Sequence, residues 1–227
     1  MLMKKCYIVS GFNPIIKDKY DGFLVGVDKG CLYLALRNIE MDVGIGDFDS
    51  VADDELETIK MHCKKLVKLN PIKDDTDMEH ALKYVEELGY KEIEVYGCLG
   101  GRQDHNLLNI KLLYLSGLDI TLFDEKNKMF CLDEGVHAIY KDEYKYLSLF
   151  VFEKANVKVE ACYYNLDNVD LDINDNYTTS NEILDKFCTL TINKGMVADY
   201  FLSIGETVFQ VLFLVTCVPV VVALANS

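Results

Sequence analysis

The chain has 227 residues, half of them hydrophobic and 26% charged, and its 23 Lys and Arg stand against 37 Asp and Glu for a formal charge of −14. That composition excludes wholesale disorder and fits one large domain or two small ones. The acid excess excludes double-stranded nucleic acid, which demands a basic stripe, but leaves room for a small phosphorylated ligand whose charge is met by a metal ion.

Lys4 and Lys5 precede an apolar run, Cys6–Val9, that is too short for a signal sequence and reads instead as the end of a first strand over 5–10. A strand over 23–27 and a helix over 30–40, with Leu32, Leu36 and Ile39 on one side, follow. Then come a short run at Val43–Ile45, an acidic helix near 52–64, a strand at 66–69 and a helix near 76–89. A strand at 92–96, a helix over 105–116 and a strand at 120–123 complete the alternation. Strands separated by helices predict a mostly parallel sheet with helices on both faces, a Rossmann-like α/β domain over 1–125.

Beyond residue 125 the helical periodicity stops. Runs at 129–132, 136–140, 146–152, 156–163, 167–173 and 187–192, separated by Asn, Asp and Gly, predict an antiparallel β-sandwich over 126–227. The tail from 198 is atypical. Its residues 208–225 carry no charge and are long enough to span a bilayer, but they are rich in β-branched residues, interrupted by Pro219 and without a basic flank. Buried strands or a packed tail, a membrane anchor and an interfacial segment all fit, with packing the preferred reading.

Eight cysteines, at 6, 31, 63, 98, 131, 162, 188 and 217, lie 25 to 35 residues apart with no CxxC pair, and the four histidines are equally scattered. Neither a zinc site nor a disulfide scaffold is spaced this way. Buried thiols in a reducing compartment, hence a cytoplasmic protein, are the expectation.

Four acidic loops fall where strands of the sheet should end: GVDKGC at 26–31, GIGDFDS at 44–50, KDDTDMEHAL at 73–82 and GCLGGRQDHNLLN at 97–109. Ligands of open α/β sheets bind beyond the carboxyl ends of the strands. Singly, each has an ordinary explanation: Asp47 and Asp49 as turn residues, Asp74 to Asp77 as first-turn acids, Asp104 as a cap. Thr76 and Glu79 have capping-box spacing. Together, carboxylates so placed repel one another unless a cation sits among them, and hard oxygen donors without His or Cys favour Mg²⁺ completed by water and substrate phosphates. Lys73 and Arg102 would then pair with phosphate oxygens. A Mg²⁺–nucleotide site for phosphoryl-type transfer is the expectation.

In order and spacing, GIGDFDS, KDDTDMEHAL and GCLGGRQDHNLLN resemble the three motifs of the thiamine pyrophosphokinase family. GVDKGC is similar to that family's opening element, with Lys29 where Gly is usual. Ser148-Leu149-Phe150 resembles its sandwich strands, and TSNE at 179–182 its thiamine-side element. The resemblance implies transfer of a pyrophosphoryl group from ATP to the thiamine hydroxyl, with Mg²⁺, in a homodimer that binds thiamine at the subunit interface. Carried over, it assigns Asp47, Asp49, Asp74 and Asp77 to the metal, and Asp49, Asp74, Asp77 and Asp104 to catalysis. Asp28, Lys73, Arg102 and Asp104 fall to the nucleotide, Ser180 and Asn181 to thiamine. The chain departs from the family at Asn165, where Pro is common, in having no Trp, and after Val197, where the final strand pattern is lost. A non-catalytic nucleotide- or thiamine-binding homologue is the alternative.

Overall fold

The computed structural model describes residues 5–72 and 74–202; Lys73 and the tail from 203, including the apolar run 208–225, lie outside the described residues. The chain divides into two compact units after Glu125, with Leu113–Leu115 grouped with the second.

The first unit alternates as the sequence predicts. It runs β1 (Lys5–Val9), β2 (Phe23–Val27), α1 (Lys29–Leu36), β3 (Val43–Gly46), α2 (Asp53–Met61), β4 (Leu66–Lys68), α3 (Asp77–Glu87), β5 (Glu92–Tyr96), α4 (Gln103–Leu115) and β6 (Asp119–Phe123). Six parallel strands stand in the order β4-β3-β2-β1-β5-β6. The chain works outward from β1 to β4, then returns to the other side of β1 for β5. The strand order therefore reverses between β1 and β5, the position at which open α/β sheets form a ligand crevice.

Local chemistry sets the helix ends. The Thr76 hydroxyl accepts from the Glu79 amide at 3.2 Å and opens α3. Gly89, at φ 85°, closes it with paired bonds from Gly89 N–H to Glu86 O and Tyr90 N–H to Val85 O. The helix expected over 30–40 stops at Leu36, because Asn38 takes a left-handed φ of 54° and its amide folds back onto Ala35 O. Among the described residues no helix is long and apolar enough to cross a membrane.

The second unit holds β7 (Asn127–Leu132), β8 (Gly135–Tyr140), β9 (Tyr146–Phe150), β10 (Lys154–Glu160), β11 (Leu166–Asp172), β12 (Phe187–Lys194) and β13 (Val197–Leu202). Antiparallel strands β7-β13-β9 face a second antiparallel sheet, β11-β10-β12-β8. Leu147, Leu149, Val197 and Phe201 from one side meet Val157, Val159, Leu190 and Ile192 from the other in a single core. The seven described cysteines form no disulfide, and five of them are buried.

The final strand corrects the sequence reading. Where the family's strand pattern is lost, after Val197, the chain still forms a strand, β13, that begins at Val197 and runs to Leu202, pairing with both β7 and β9. One residue within it is unusual for a buried strand. Asp199 is fully buried opposite Leu149 and Phe130, and neither carboxyl oxygen has a hydrogen-bond partner among the described residues. Burial pushes its pKa well above the carboxylate range; the nearby Cys162 adds to the rise and Lys128 opposes it. A raised folded-state pKa means that the native protein keeps a proton the unfolded chain has lost. The associated stability is present below about pH 4 and is lost as pH rises toward the folded-state value. Replacing the carboxyl by a hydrocarbon of similar size, Asp199→Val, should add on the order of 2 kcal/mol at pH 7, roughly 4–8 °C in midpoint. It should also flatten the decline in stability above pH 4. Thermal melts of both proteins from pH 4 to 8 test this, and coincident curves would refute it.

Candidate active site on the carboxyl edge

The loops leaving β2, β3 and β5, with the start of α3, form the acidic edge. After β2 the chain turns at Asp28, whose φ of 49° and ψ of −121° place it outside the ordinary regions. Bonds from Asp28 N–H to Ile45 O and from Cys31 N–H to Asp28 O hold the turn. At Gly30 a Cβ would stand 2.0 Å from Val9 O. A Cβ on Gly46, the last residue of β3, would likewise stand 2.0 Å from Asp28 Oδ1. Gly46 leaves the space that the Asp28 carboxylate fills, and Gly30 lets the start of α1 approach the end of β1.

Past Gly46, Phe48 adopts φ 57° and buries its ring at 5% exposure, which turns its two acidic neighbours away from the core. Asp47 is half-buried, and its Oδ1 accepts from the Asp49 amide at 3.0 Å. Asp77 opens α3 directly after the Thr76 cap and shares a hydrogen bond with Asp28. Burial, then the charges of Asp77 and Asp47, push the Asp28 pKa up to about 7, while the Phe48 amide pulls the other way. Asp28 Oδ1 is buried without a hydrogen-bond partner among the described residues. Asp28, Asp47 and Asp77 thus form one electrostatic group.

The remaining sequence candidates are placed otherwise. Asp49 and Asp74 are exposed. Asp75 pairs with Lys83 at 2.8 Å. The capping box expected at α3 is half-formed, since the Glu79 carboxylate reaches Lys83 at 3.3 Å instead of the Thr76 amide. Among the described residues no three acidic, histidine or cysteine side chains make a ready-built metal cage. The expected four-aspartate cluster is therefore not assembled in advance, because the loops holding Asp49 and Asp74 present them to solvent.

The third loop is a glycine turn pinned by the helix that follows. Gly97, Gly100 and Gly101 all have positive φ, at 70°, 95° and 66°. Asn106 Oδ1 accepts from the Gly100 amide at 2.6 Å, and the buried Asn109 donates to Cys98 O at 2.7 Å. These asparagines are positioning residues that spacing alone did not single out. Arg102 and Asp104, both exposed, form a two-point pair at 2.6 and 3.2 Å. Arg102, and to a lesser degree the His105 amide, hold the Asp104 pKa down at about 2.

In the second unit, TSNE is docked against β9. Ser148, fully buried, accepts from the Ser180 amide through its hydroxyl at 2.8 Å, and Thr178 donates to Leu149 O at 2.6 Å. Ser180 sits at φ 57° with its side chain exposed. Asn181 acts locally, its Oδ1 accepting from the Tyr164 and Glu182 amides and its Nδ2 donating to Tyr164 O. The exposed Tyr163 and Tyr164 rings meet edge to face at 4.9 Å beside it. Where the family often has Pro, Asn165 closes the turn by accepting from the Cys162 amide at 3.0 Å.

An open parallel sheet with carboxylates and a glycine turn on its carboxyl edge, followed by an antiparallel sandwich, is the build of an α/β transferase of the kinase type. Comparison with known proteins gives the family. Residues 19–123 match the family model described as thiamin pyrophosphokinase, catalytic domain, and residues 136–197 match the thiamin pyrophosphokinase, vitamin B1 binding domain. A thiamine pyrophosphokinase of Bacillus subtilis is 32% identical over 179 residues, which is 76% of this chain and 84% of that protein. The crystal structure of a thiamine pyrophosphokinase from Bacillus subtilis superposes with a TM-score of 0.80 at 29% identity, covering 88% of this chain and 99% of that one. The enzyme from Geobacillus thermodenitrificans gives 0.80 at 25% identity, with 89% and 99% covered. The chain belongs to the thiamin pyrophosphokinase family.

Gly46 offers a direct probe of the acidic group. In Gly46→Ala the new methyl must displace the Asp28 carboxylate, the movable partner, so ATP-dependent turnover should fall by about tenfold or more. The fold should survive with a midpoint change of a few degrees. Turnover assays paired with thermal melts check this, and an undiminished rate would show that Asp28 has no part in the site.

Proposed function

We propose that the protein transfers the pyrophosphoryl group of ATP to the hydroxyl of thiamine, giving thiamine diphosphate and AMP. The observation that carries this reading is the carboxylate group of Asp28, Asp47 and Asp77 on the sheet edge of a chain that matches both halves of the family. The thiamine oxygen attacks the β-phosphorus, the bond from that phosphorus to the bridging oxygen of the α-phosphate breaks, and AMP leaves. The hydroxyl proton passes to a carboxylate.

Mg²⁺ fits these residues. The donors are hard oxygens, the Asp28 oxygen lies buried without a hydrogen-bond partner among the described residues, and the group's mutual repulsion calls for a cation. Magnesium needs only one or two carboxylates beside water and phosphate, so the missing three-ligand cage is no objection. Asp47 and Asp77, supported by Asp28, would hold it, and when bound it supplies neutralisation of the phosphate charge. Asp49 and Asp74, exposed on the same loops, are available to the phosphates' outer shell and to the hydroxyl proton. Arg102 would exchange its Asp104 partner for a phosphate, since a guanidinium serves both with the same two-point geometry. Lys73 would join it on the phosphates.

On the second unit, Ser180 and the neighbouring tyrosine pair would face thiamine, with Asn181 shaping the loop. A homodimer belongs to this reading. Val136, Tyr140 and Phe187 lie exposed on paired strands β8 and β12 and offer an apolar strip for a second copy to cover. The disulfide-free cysteines support placement in the cytoplasm.

AMP release from ATP, Mg²⁺ and thiamine is the decisive assay; ADP in place of AMP, or release indifferent to thiamine, would sink the proposal. Within it, Asp77→Asn should lower kcat about 10²-fold, roughly 3 kcal/mol of transition-state stabilisation, at saturating Mg²⁺. Steady-state kinetics would count against the assignment if kcat stayed within twofold of wild type.

A further inference from the structure

The loop after β1, residues 10–13, holds none of the residues assigned to metal, phosphate or thiamine, yet it lies where the strand order reverses. Ser10 N–H donates to Tyr96 O at 2.8 Å and Phe12 N–H to Gly97 O at 3.0 Å, so the loop runs along the exit of β5. On its other side, a Cβ at Gly11 would stand 3.0 Å from Lys29 Cβ, and one at Gly30 2.9 Å from Ser10 Cα. The loop therefore bridges the Asp28 turn and the glycine turn within the first unit.

Phe12 is the one large side chain it brings there. A Cβ on Gly100 would fall 2.1–3.0 Å from Cε1, Cδ1 and Cζ of the ring, and one on Gly101 2.5–3.4 Å from Cδ2, Cε2 and Cγ. Between them the two glycines thus stand against all six ring carbons, so the ring packs directly on the turn. Any side chain at either position would lift it. Phe12 nevertheless remains 46% exposed. A ring packed on the two glycines in a residue that is nearly half exposed leaves part of its surface open to solvent. Hydrophobic burial does not explain that arrangement, since the core is elsewhere and the open surface gains nothing from it.

From this geometry we infer that Phe12 is the platform on which the base of the nucleotide stacks. A planar π-face is what an aromatic side chain offers a nucleobase, and the contact is tolerant of base identity because every base has such a face. Gly100 and Gly101 then serve a second purpose: without side chains, they let the platform pack directly on the turn, while Asn106 holds their backbone in place. The larger purine ring overlaps a phenyl platform more fully than a pyrimidine does, so the platform favours purine over pyrimidine triphosphates. The inference rests on the proposed nucleotide site and adds the residue that reads the base.

The test separates base from phosphate. The chain contains no Trp, so Phe12→Trp places a lone indole at the platform. Its emission should be quenched on titration with ATP and little changed by inorganic tripolyphosphate, which carries the same phosphate chain without a base. Phe12→Ala should raise KM for ATP about tenfold with kcat within about twofold, and narrow the preference for ATP over CTP; Phe12→Tyr should restore wild-type KM. Equal quenching by tripolyphosphate and ATP, an unchanged emission, or a KM for Phe12→Ala within twofold of wild type would overturn the assignment. Wild-type AMP release, measured first, tests the underlying reading independently. Circular dichroism of each variant distinguishes a lost platform from a lost fold.

Discussion

The half-buried crowding of Asp28, Asp47 and Asp77 is the constraint around which the first unit is arranged. Three carboxyls crowded at one edge repel when all are charged, and burial with the charges of Asp77 and Asp47 raises the Asp28 pKa to about 7. The surrounding backbone is shaped to keep them there. Asp28 occupies a sparsely populated backbone conformation, Phe48 a left-handed one, and Gly46 leaves the space that the Asp28 carboxylate fills. Strain of this kind persists only where neighbouring packing over-determines it. The buried Phe48 ring and the hydrogen bonds from Asp28 to Ile45 and from Cys31 to Asp28 supply that packing. In the proposed reading, a divalent ion held by this group would relieve that repulsion.

The other loops on the edge are firm by different means. In the glycine turn after β5, α4 sends back two asparagine side chains that hold one amide and one carbonyl group. Asparagine suits this position because one carboxamide both donates and accepts. In the second unit Asn181 does the same for the Tyr163–Tyr164 turn, and the buried Ser148 hydroxyl anchors Ser180 in its left-handed conformation. Asn181, which the resemblance assigns to thiamine, also holds its own loop in place. Preorganisation of this sort matters in phosphoryl-type transfer, where positioning and charge neutralisation supply most of the catalysis.

Most of the architecture could be read in advance because each signal was local. Apolar runs of four or five residues divided by helix-period segments gave the parallel sheet, and Thr76 marked the start of α3 before any coordinates did. What escaped was decided by tertiary contacts. Glu79 has capping-box spacing, but Lys83 one turn further on offers it an ion pair. Asp49 and Asp74 have the right spacing for a metal, but their direction depends on which way the Phe48 and 70–76 loops turn, and spacing does not encode that. Phe12 carried no signal at all, since its role arises from two glycines 88 and 89 positions away in the chain that a strand reversal brings beneath it. Asp199 is the opposite case: the sequence showed a broken strand pattern, while the structure keeps the strand and buries the misfit.

Asp28 and Asp199 show why a perturbed carboxyl is not by itself a site. Desolvation is the largest cause of the raised pKa in both. Their surroundings differ in every other respect. Asp28 lies at a strand exit beside two further carboxylates, an unusual backbone turn and a glycine that leaves it room, all on the edge where a ligand can enter. Asp199 lies within a strand, paired across to Leu149 and Phe130, in a core of aliphatic and aromatic side chains. Among the described residues neither of its carboxyl oxygens has a hydrogen-bond partner. One perturbed carboxyl lies among features that the proposed cation and nucleotide would use, and the other, lacking such a bond among the described residues, lowers stability. The distinction lies in the neighbours, and the two carboxyls should accordingly respond in opposite ways to removal: loss of function at the first, gain of stability at the second.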